Sequence, residues 1–425
     1  LLPTDIYISA GAATVLLTLV LLVFLPERTS EKLFSNFGFW RAKPLPLRHF
    51  ISCLSAVVLG WIVWTGLTGT RDPLANPLPL TVWTVWWVFL VFIQGFIGNH
   101  WQYTNPWTGP IAMLSKLTGL KPLLRYPSQL SYWPGIFLFL GFATVLMVDP
   151  APADPSRLAR YVGIYWYLTL LGVVLFGPAW LVKAEAITIM MRAYQQMAIL
   201  GRTHSRLSVG LSGWQILRKP APKPTLAVFM LVLLGCGSFD GLNETFWWFG
   251  QLGLNPLEFP GRSAVVAQNL IGLIAANVVL LLAFISCLVL GLRISGETET
   301  VIIAFCRYAP TLLPIALAYH LAHYLPSFLV EAQYVLKYIY NTLGLGDFYV
   351  TTGFFSRPST VKAIWLIQAG AVVAGHVIAI LLAHVLALRA HGTTRQAIIV
   401  QIPLAIFMVC YTVFGLWLLA SPRGL

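Results

Sequence analysis

Side chains able to do acid–base or metal-ligand chemistry are few: 8 histidines, 14 acidic residues and 5 cysteines in 425 residues. Four of the histidines, His320, His323, His376 and His384, fall inside apolar runs. An ionisable group there is expensive, so each marks a candidate functional position. His320 and His323, three residues apart, share one helix face. From the helical rise, His323 is expected roughly 10 Å and His320 roughly 15 Å below the outer end of their span. His376 is expected roughly 20 Å down the next span. Asp240 closes an earlier apolar run on the same side, and Glu331 and Glu244 also stand at outer span ends. Nitrogen and oxygen donors of this kind suit zinc or another divalent ion, so Asp240, His320, His323 and His376 form a candidate metal set. A metal-bound water there would hydrolyse an ester, with Glu331 or Glu244 as proton acceptor. Taken in pairs, His323 with His376 or His320 with His376, the same residues suit bis-histidine haem ligation. Quinone binding and a proton relay use the same groups. The purely structural alternative has the histidines donating to backbone carbonyls freed by nearby prolines, with Asp240 capping a helix end. His376 and His384 differ by roughly 12 Å in depth and cannot share one ion.

Other patterns carry less. There is no Gly-x-Ser-x-Gly, so serine hydrolysis is not indicated. Leu343-Gly344-Leu345-Gly346-Asp347 lacks the strand and helix of a dinucleotide site. Cys53, Cys236, Cys287, Cys306 and Cys410 form no Cys-x-x-Cys pair and are expected as small buried hydrophobes. His49, His204 and His391, and similarly His100, are expected in solvated or interfacial positions. Glu185 is expected to pair with Lys183 or Arg192.

The elements that must hold these groups follow from composition. Hydrophobic residues make up 58% of the chain and charged residues 10%, which excludes a soluble enzyme, a nucleic-acid-binding domain and a disordered chain. The fold class is an all-α, polytopic transmembrane helix bundle in a single membrane domain, 1–425. About ten spans are expected, at 6–25, 49–69, 80–98, 132–148, 157–182, 225–241, 264–292, 302–330, 360–390 and 396–420. The fourth and sixth are short. Pro310, Pro314 and Pro326 predict a kinked or broken eighth span. Of the 27 Lys and Arg residues, 19 follow odd-numbered spans, which places those segments in the cytoplasm and both termini outside. The start at Leu1 is in keeping with removal of a signal peptide. Residues 183–224 predict an amphipathic helix over 183–200 and a basic cytoplasmic linker, both drawn to anionic lipids. Residues 331–359 predict an aromatic-rich outer loop. Trp86, Trp87, Trp247 and Trp248 are expected as interfacial anchors.

Several short runs resemble one family. They are Pro314-Ile315-Ala316-Leu317-Ala318-Tyr319 with Ala322-His323-Tyr324, Gly375-His376-Val377 with Leu382-Ala383-His384 and Leu386-Ala387-Leu388, and Gly415-Leu416-Trp417-Leu418-Leu419. Asn105-Pro106-Trp107, Arg125-Tyr126-Pro127, Trp133-Pro134 and Phe239-Asp240-Gly241 agree with them. Together they resemble the bacterial integral membrane proteins called fenitrothion-hydrolase-like. The resemblance implies a multi-pass protein of the bacterial inner membrane and organophosphate ester hydrolysis.

Three functions are therefore carried forward: a membrane-embedded hydrolase, a transporter or channel, and a non-catalytic or redox-associated subunit of a membrane complex. The lipid bilayer and other membrane subunits are the expected partners, and nucleic acid is not. The topology has its own test. A reporter fused after Leu425 should be active outside the cytoplasm, and one inserted near Ser212 only inside it. Cytoplasmic activity of the C-terminal fusion would mean that one span has been miscounted.

Overall fold

The computed structural model describes residues 4–24, 27–41, 47–119, 121–203, 205–258 and 261–422. Lys43, His204 and the chain ends Leu1 and Leu425 lie outside the described residues. Among these residues nine helical segments are long and apolar enough to cross a membrane. The chain is thus a multi-pass helical protein. We label the helices that matter below α1 (Thr4–Phe24), α2 (Arg48–Thr68), α3 (Pro77–Ile97), α4 (Trp133–Met147), α5 (Pro155–Phe176), α6 (Pro224–Leu242), α7 (Val266–Ser295), α8 (Leu313–Leu343), α9 (Pro358–His391) and α10 (Thr394–Ala420). The expected fourth span, α4, has only 15 residues. That is roughly 22 Å of helix against a hydrocarbon core of roughly 30 Å.

Local chemistry sets the helix ends. Asp154 accepts the Arg157 amide at 2.8 Å with Pro155 next to it, starting α5. Gly296, at φ 71°, closes α7 in the left-handed conformation that glycine adopts without strain. Pro79 precedes a stretch of α3, Leu80–Leu90, that is π-helical, the Val91 amide reaching the Trp86 carbonyl five residues back.

The chain divides into two compact units. The first comprises Leu1–Phe37, Val209–Leu325 and Pro358–Leu425. In it α10 packs against α1, α6, α7 and α9, and α6 also packs on α7. Small residues permit these crossings. A Cβ on Gly375 of α9 would stand 2.8 Å from the Pro314 carbonyl oxygen and 2.7 Å from the Ala318 Cβ. The second unit comprises Gly38–Ser208 and Pro326–Arg357. There α2 packs on α5 and on a short helix, Thr108–Thr118. A small sheet of β1 (Asn36–Arg41), β2 (Leu200–Thr203) and β3 (Arg206–Gly210) has the order β1-β3-β2.

The eighth span is broken as its prolines predict, though only at two of them. Val301–Tyr308 gives way to a 3-10 turn, Ala309–Leu312, containing Pro310, and α8 restarts with Pro314 in its first turn. Pro326 lies inside α8 without ending it. Because proline has no N–H, the Ala322 carbonyl four residues back loses its helical donor. Gln368 of α9 replaces it, its side-chain amide donating to that carbonyl at 2.7 Å.

Two expected loops are corrected. Residues 331–343 continue α8, so the loop expected on the outer side starts only after Leu343. Ala186–Tyr194 is a helix, but one enclosed by protein rather than one with a free apolar face. Its Ala186, Thr188, Ile189, Met190, Met191, Ala193 and Tyr194 are all buried, and it packs on α4. Both its apolar and its polar faces have protein partners.

The close approach at Gly375 gives a stability test. Gly375→Leu should cost about 1–3 kcal/mol, the usual penalty for overpacking. Thermal unfolding in detergent should show it, whereas Gly370→Leu, where nothing lies within 4 Å, should leave the midpoint nearly unchanged.

Candidate functional site

The site sits on α6 and α8 in the first unit. Most of α6 is enclosed, residues 229 to 236 and 238 to 241 being buried on every side. That is the pattern of an interior helix, apolar all round. Asp240 near its end is 8% exposed, and His320 and His323 are each 6% exposed, so none of the three is bathed by solvent.

Helical spacing on α8 stacks its polar side chains. Tyr319 lies over His323 with rings 5.8 Å apart and 18° from parallel, and His320 lies 5.1 Å from Tyr324. His323 and Tyr324 meet nearly edge-on, at 4.8 Å and 84°. Both reach the same oxygen of α6: His323 Nε2 is 3.4 Å from Asp240 Oδ2, and the Tyr324 hydroxyl donates to Oδ2 as well. Gly241, the next residue, leaves room for the Tyr319 hydroxyl, which any Cβ at that position would overlap. One half-turn earlier Ser238 is hydrogen-bonded to the Tyr411 hydroxyl of α10.

The other expected members are elsewhere. His376 hydrogen-bonds through Nδ1 to its own helix, to the Val372 carbonyl at 2.9 Å. Its Nε2 is packed with no water-sized space beside it and no hydrogen-bond partner among the described residues. His384 Nδ1 is 3.4 Å from the Gln401 side-chain amide. Glu244 pairs with Arg262 at 3.6 Å. Glu331 belongs to the second unit, where it accepts the Thr84 hydroxyl at 2.6 Å.

The donor set decides between the cofactors considered. Among the described residues no three His, Cys, Asp or Glu side chains gather as a group able to hold a metal ion. Asp240 and His323 supply only two donors, and His376 is spent on Val372. Bis-histidine haem does not fit either, since an iron at His376 Nε2 needs space that the packing denies. What remains is a buried carboxylate shared by an imidazole and a phenol. Such an arrangement sets the imidazole's orientation. His323 and Asp240 stand out in the sequence; Tyr324, which follows His323 directly, and Gln368, which only the missing amide of Pro326 explains, do not.

Outside the site, two further histidines and one glutamate have protein partners. His391 is not solvated: its side chain is 3% exposed and its Nδ1 is 3.2 Å from Glu297. His100 bonds through Nε2 to the Leu90 carbonyl at 2.8 Å and through Nδ1 to Thr104 at 3.0 Å. Burial holds its pKa below the ordinary imidazole value, the Leu90 bond opposing. His49 is exposed, as expected. Glu185 pairs with neither Lys183 nor Arg192. It is fully buried and caps Ala186–Tyr194, accepting the Ile187 amide at 2.8 Å, the Thr188 amide at 2.6 Å and the Tyr165 hydroxyl. Burial pushes its carboxyl above the usual carboxylate range in spite of these bonds.

No family model, curated protein or solved structure matches the chain.

Two outcomes follow. Tyr324→Phe and Asp240→Asn, made singly and together, should give stabilities that are non-additive by at least about 0.5 kcal/mol; simple additivity would separate the two side chains energetically. Glu185→Gln should cost about 1–3 kcal/mol, because one amide oxygen cannot accept all that two carboxylate oxygens accept. Thermal unfolding reads both.

Proposed function

We propose that the chain is a multi-pass protein of the bacterial inner membrane with ten crossings, the short α4 included, and both termini outside, and with an intramembrane acid–base centre at Asp240 and His323 that hydrolyses an ester. The observation that carries this reading is the buried Asp240 carboxylate holding both His323 and Tyr324. A carboxylate and an imidazole within a membrane span are costly and are retained where they handle protons. The resemblance to fenitrothion-hydrolase-like proteins supplies the reaction class, and an apolar phosphotriester partitions into the layer where the site lies.

In this reading α6 and α8 part to admit the ester and a water to a site otherwise closed to solvent; His323 Nδ1 then takes the proton of that water, and its oxygen attacks phosphorus. The bond to the aryloxy group breaks, and the departing oxygen receives that proton. Asp240 orients the ring and stabilises the imidazolium. Tyr324 donates to the carboxylate and keeps it in place. The reaction so written needs no metal, and among the described residues no third ligand joins Asp240 and His323.

A second reading, a proton path within a transporter, is favoured by the enclosure of the site. The Nδ1 atom of His323 and Nε2 of His376 both lie out of reach of water, and protons pass where an ester does not.

The test uses purified protein and an aryl phosphotriester that releases a coloured phenol. His323→Gln and Asp240→Asn should lower kcat by about 10²–10⁴-fold, the contribution of a general base. Tyr324→Phe should lower it less. Wild-type release no faster than buffer, together with proton uptake by proteoliposomes that His323→Gln abolishes, would replace hydrolysis by the second reading.

A further inference from the structure

The second unit carries a surface that neither the acid–base centre nor the spans account for. Thr108–Thr118 is anchored at its start. A Cβ on Gly109 would meet the backbone of His49 and Cys53 in the first turns of α2, and the Trp107 indole donates to the Trp166 carbonyl at 3.0 Å. From Met113 to Gly119 every residue is exposed. The chain then returns to the end of α5, where the Leu124 amide donates to the Leu175 carbonyl at 2.8 Å and Pro122 lies against Gly177. The segment therefore lies where α2 begins and α5 ends, at one membrane surface.

Its exposed residues are of two kinds. Leu117 is 75% and Leu123 63% exposed, with Met113 and Leu124 beside them. Lys116, Lys121 and Arg125 are also exposed, and none forms an ion pair or hydrogen bond among the described residues. No Asp or Glu occurs anywhere between Asp72 and Asp149 to neutralise them. Water disfavours the leucines, and the hydrocarbon core disfavours the cations. The headgroup layer accepts both.

We infer that residues 108–119 and 121–125 form a binding surface for anionic phospholipid, with Lys116, Lys121 and Arg125 on the phosphate-bearing headgroups and Met113, Leu117, Leu123 and Leu124 among the upper acyl chains. This surface takes the role that the sequence pattern gives to 183–200, whose helix is buried.

Native mass spectrometry of the full chain, titrated with phosphatidylglycerol or phosphatidylcholine, tests it. Wild type should retain phosphatidylglycerol in preference. The triple variant Lys116→Gln, Lys121→Gln, Arg125→Gln should bind it roughly tenfold or more weakly, since each cation near an anionic surface contributes about 1 kcal/mol. A control with the same charge change at the exposed Lys337, Arg357 and Lys362 should bind as wild type does. Should the triple variant lose helix by circular dichroism, Lys121→Gln alone should still weaken binding about fivefold. Equal binding of the two lipids by wild type, or equal loss in the control, overturns the proposal. So does a dimer in which a second copy shields Lys116 and Lys121 from amine labelling.

Discussion

A carboxylate inside a membrane protein must be satisfied by the protein itself, and Asp240 is where this constraint shapes the first unit. Its oxygen is met by His323 and Tyr324 from α8. For both to arrive, α8 must run close against the end of α6. The neighbouring Gly241 is what lets Tyr319 lie there. The break at Pro310 and Pro314 allows α8 to start on a new line, with its 3-10 turn packed on α6. Backbone groups obey the same rule. Where Pro326 removes an amide, Gln368 of α9 supplies another, so α8 stays continuous through the proline and fixed to α9.

Much of this was legible in the sequence. Long apolar runs gave the spans because nothing but a helix can satisfy its own backbone in lipid. The prolines of the eighth span announced a break, and the rarity of intramembrane His and Asp drew attention to His323 and Asp240. Their meeting on one oxygen was not legible, because it depends on the rotation of two helices about their axes. His376 shows this. Its depth suited a shared site, yet its ring turns back to its own helix at Val372.

Patterns misled where they assumed that polarity means water. Ala186–Tyr194 has the periodicity of a surface helix, but its polar side meets other buried polar groups. Thr188 accepts from the Trp101 indole at 3.0 Å and the Asn105 amide at 3.1 Å, while Glu185 caps the helix start. His391 and His100 likewise have protein partners rather than solvent. The aromatic stretch 331–359 reads as a loop because it is less apolar than the rest, yet its first part, up to Leu343, is the end of α8. In each case tertiary partners replaced water, which single-sequence periodicity does not register.

The central claim is that the Asp240 carboxylate holds the His323 imidazole. Nitrogen-15 spectra of histidine-labelled protein in bilayers test it most directly. Of the 8 histidines, one should show an Nε2 hydrogen-bonded to a carboxylate. Its resonances should vanish in His323→Gln and shift in Asp240→Asn, with the remaining signals in place. Spectra of Asp240→Asn indistinguishable from wild type would mean that the carboxylate does not hold the ring, and the acid–base centre would have to be abandoned.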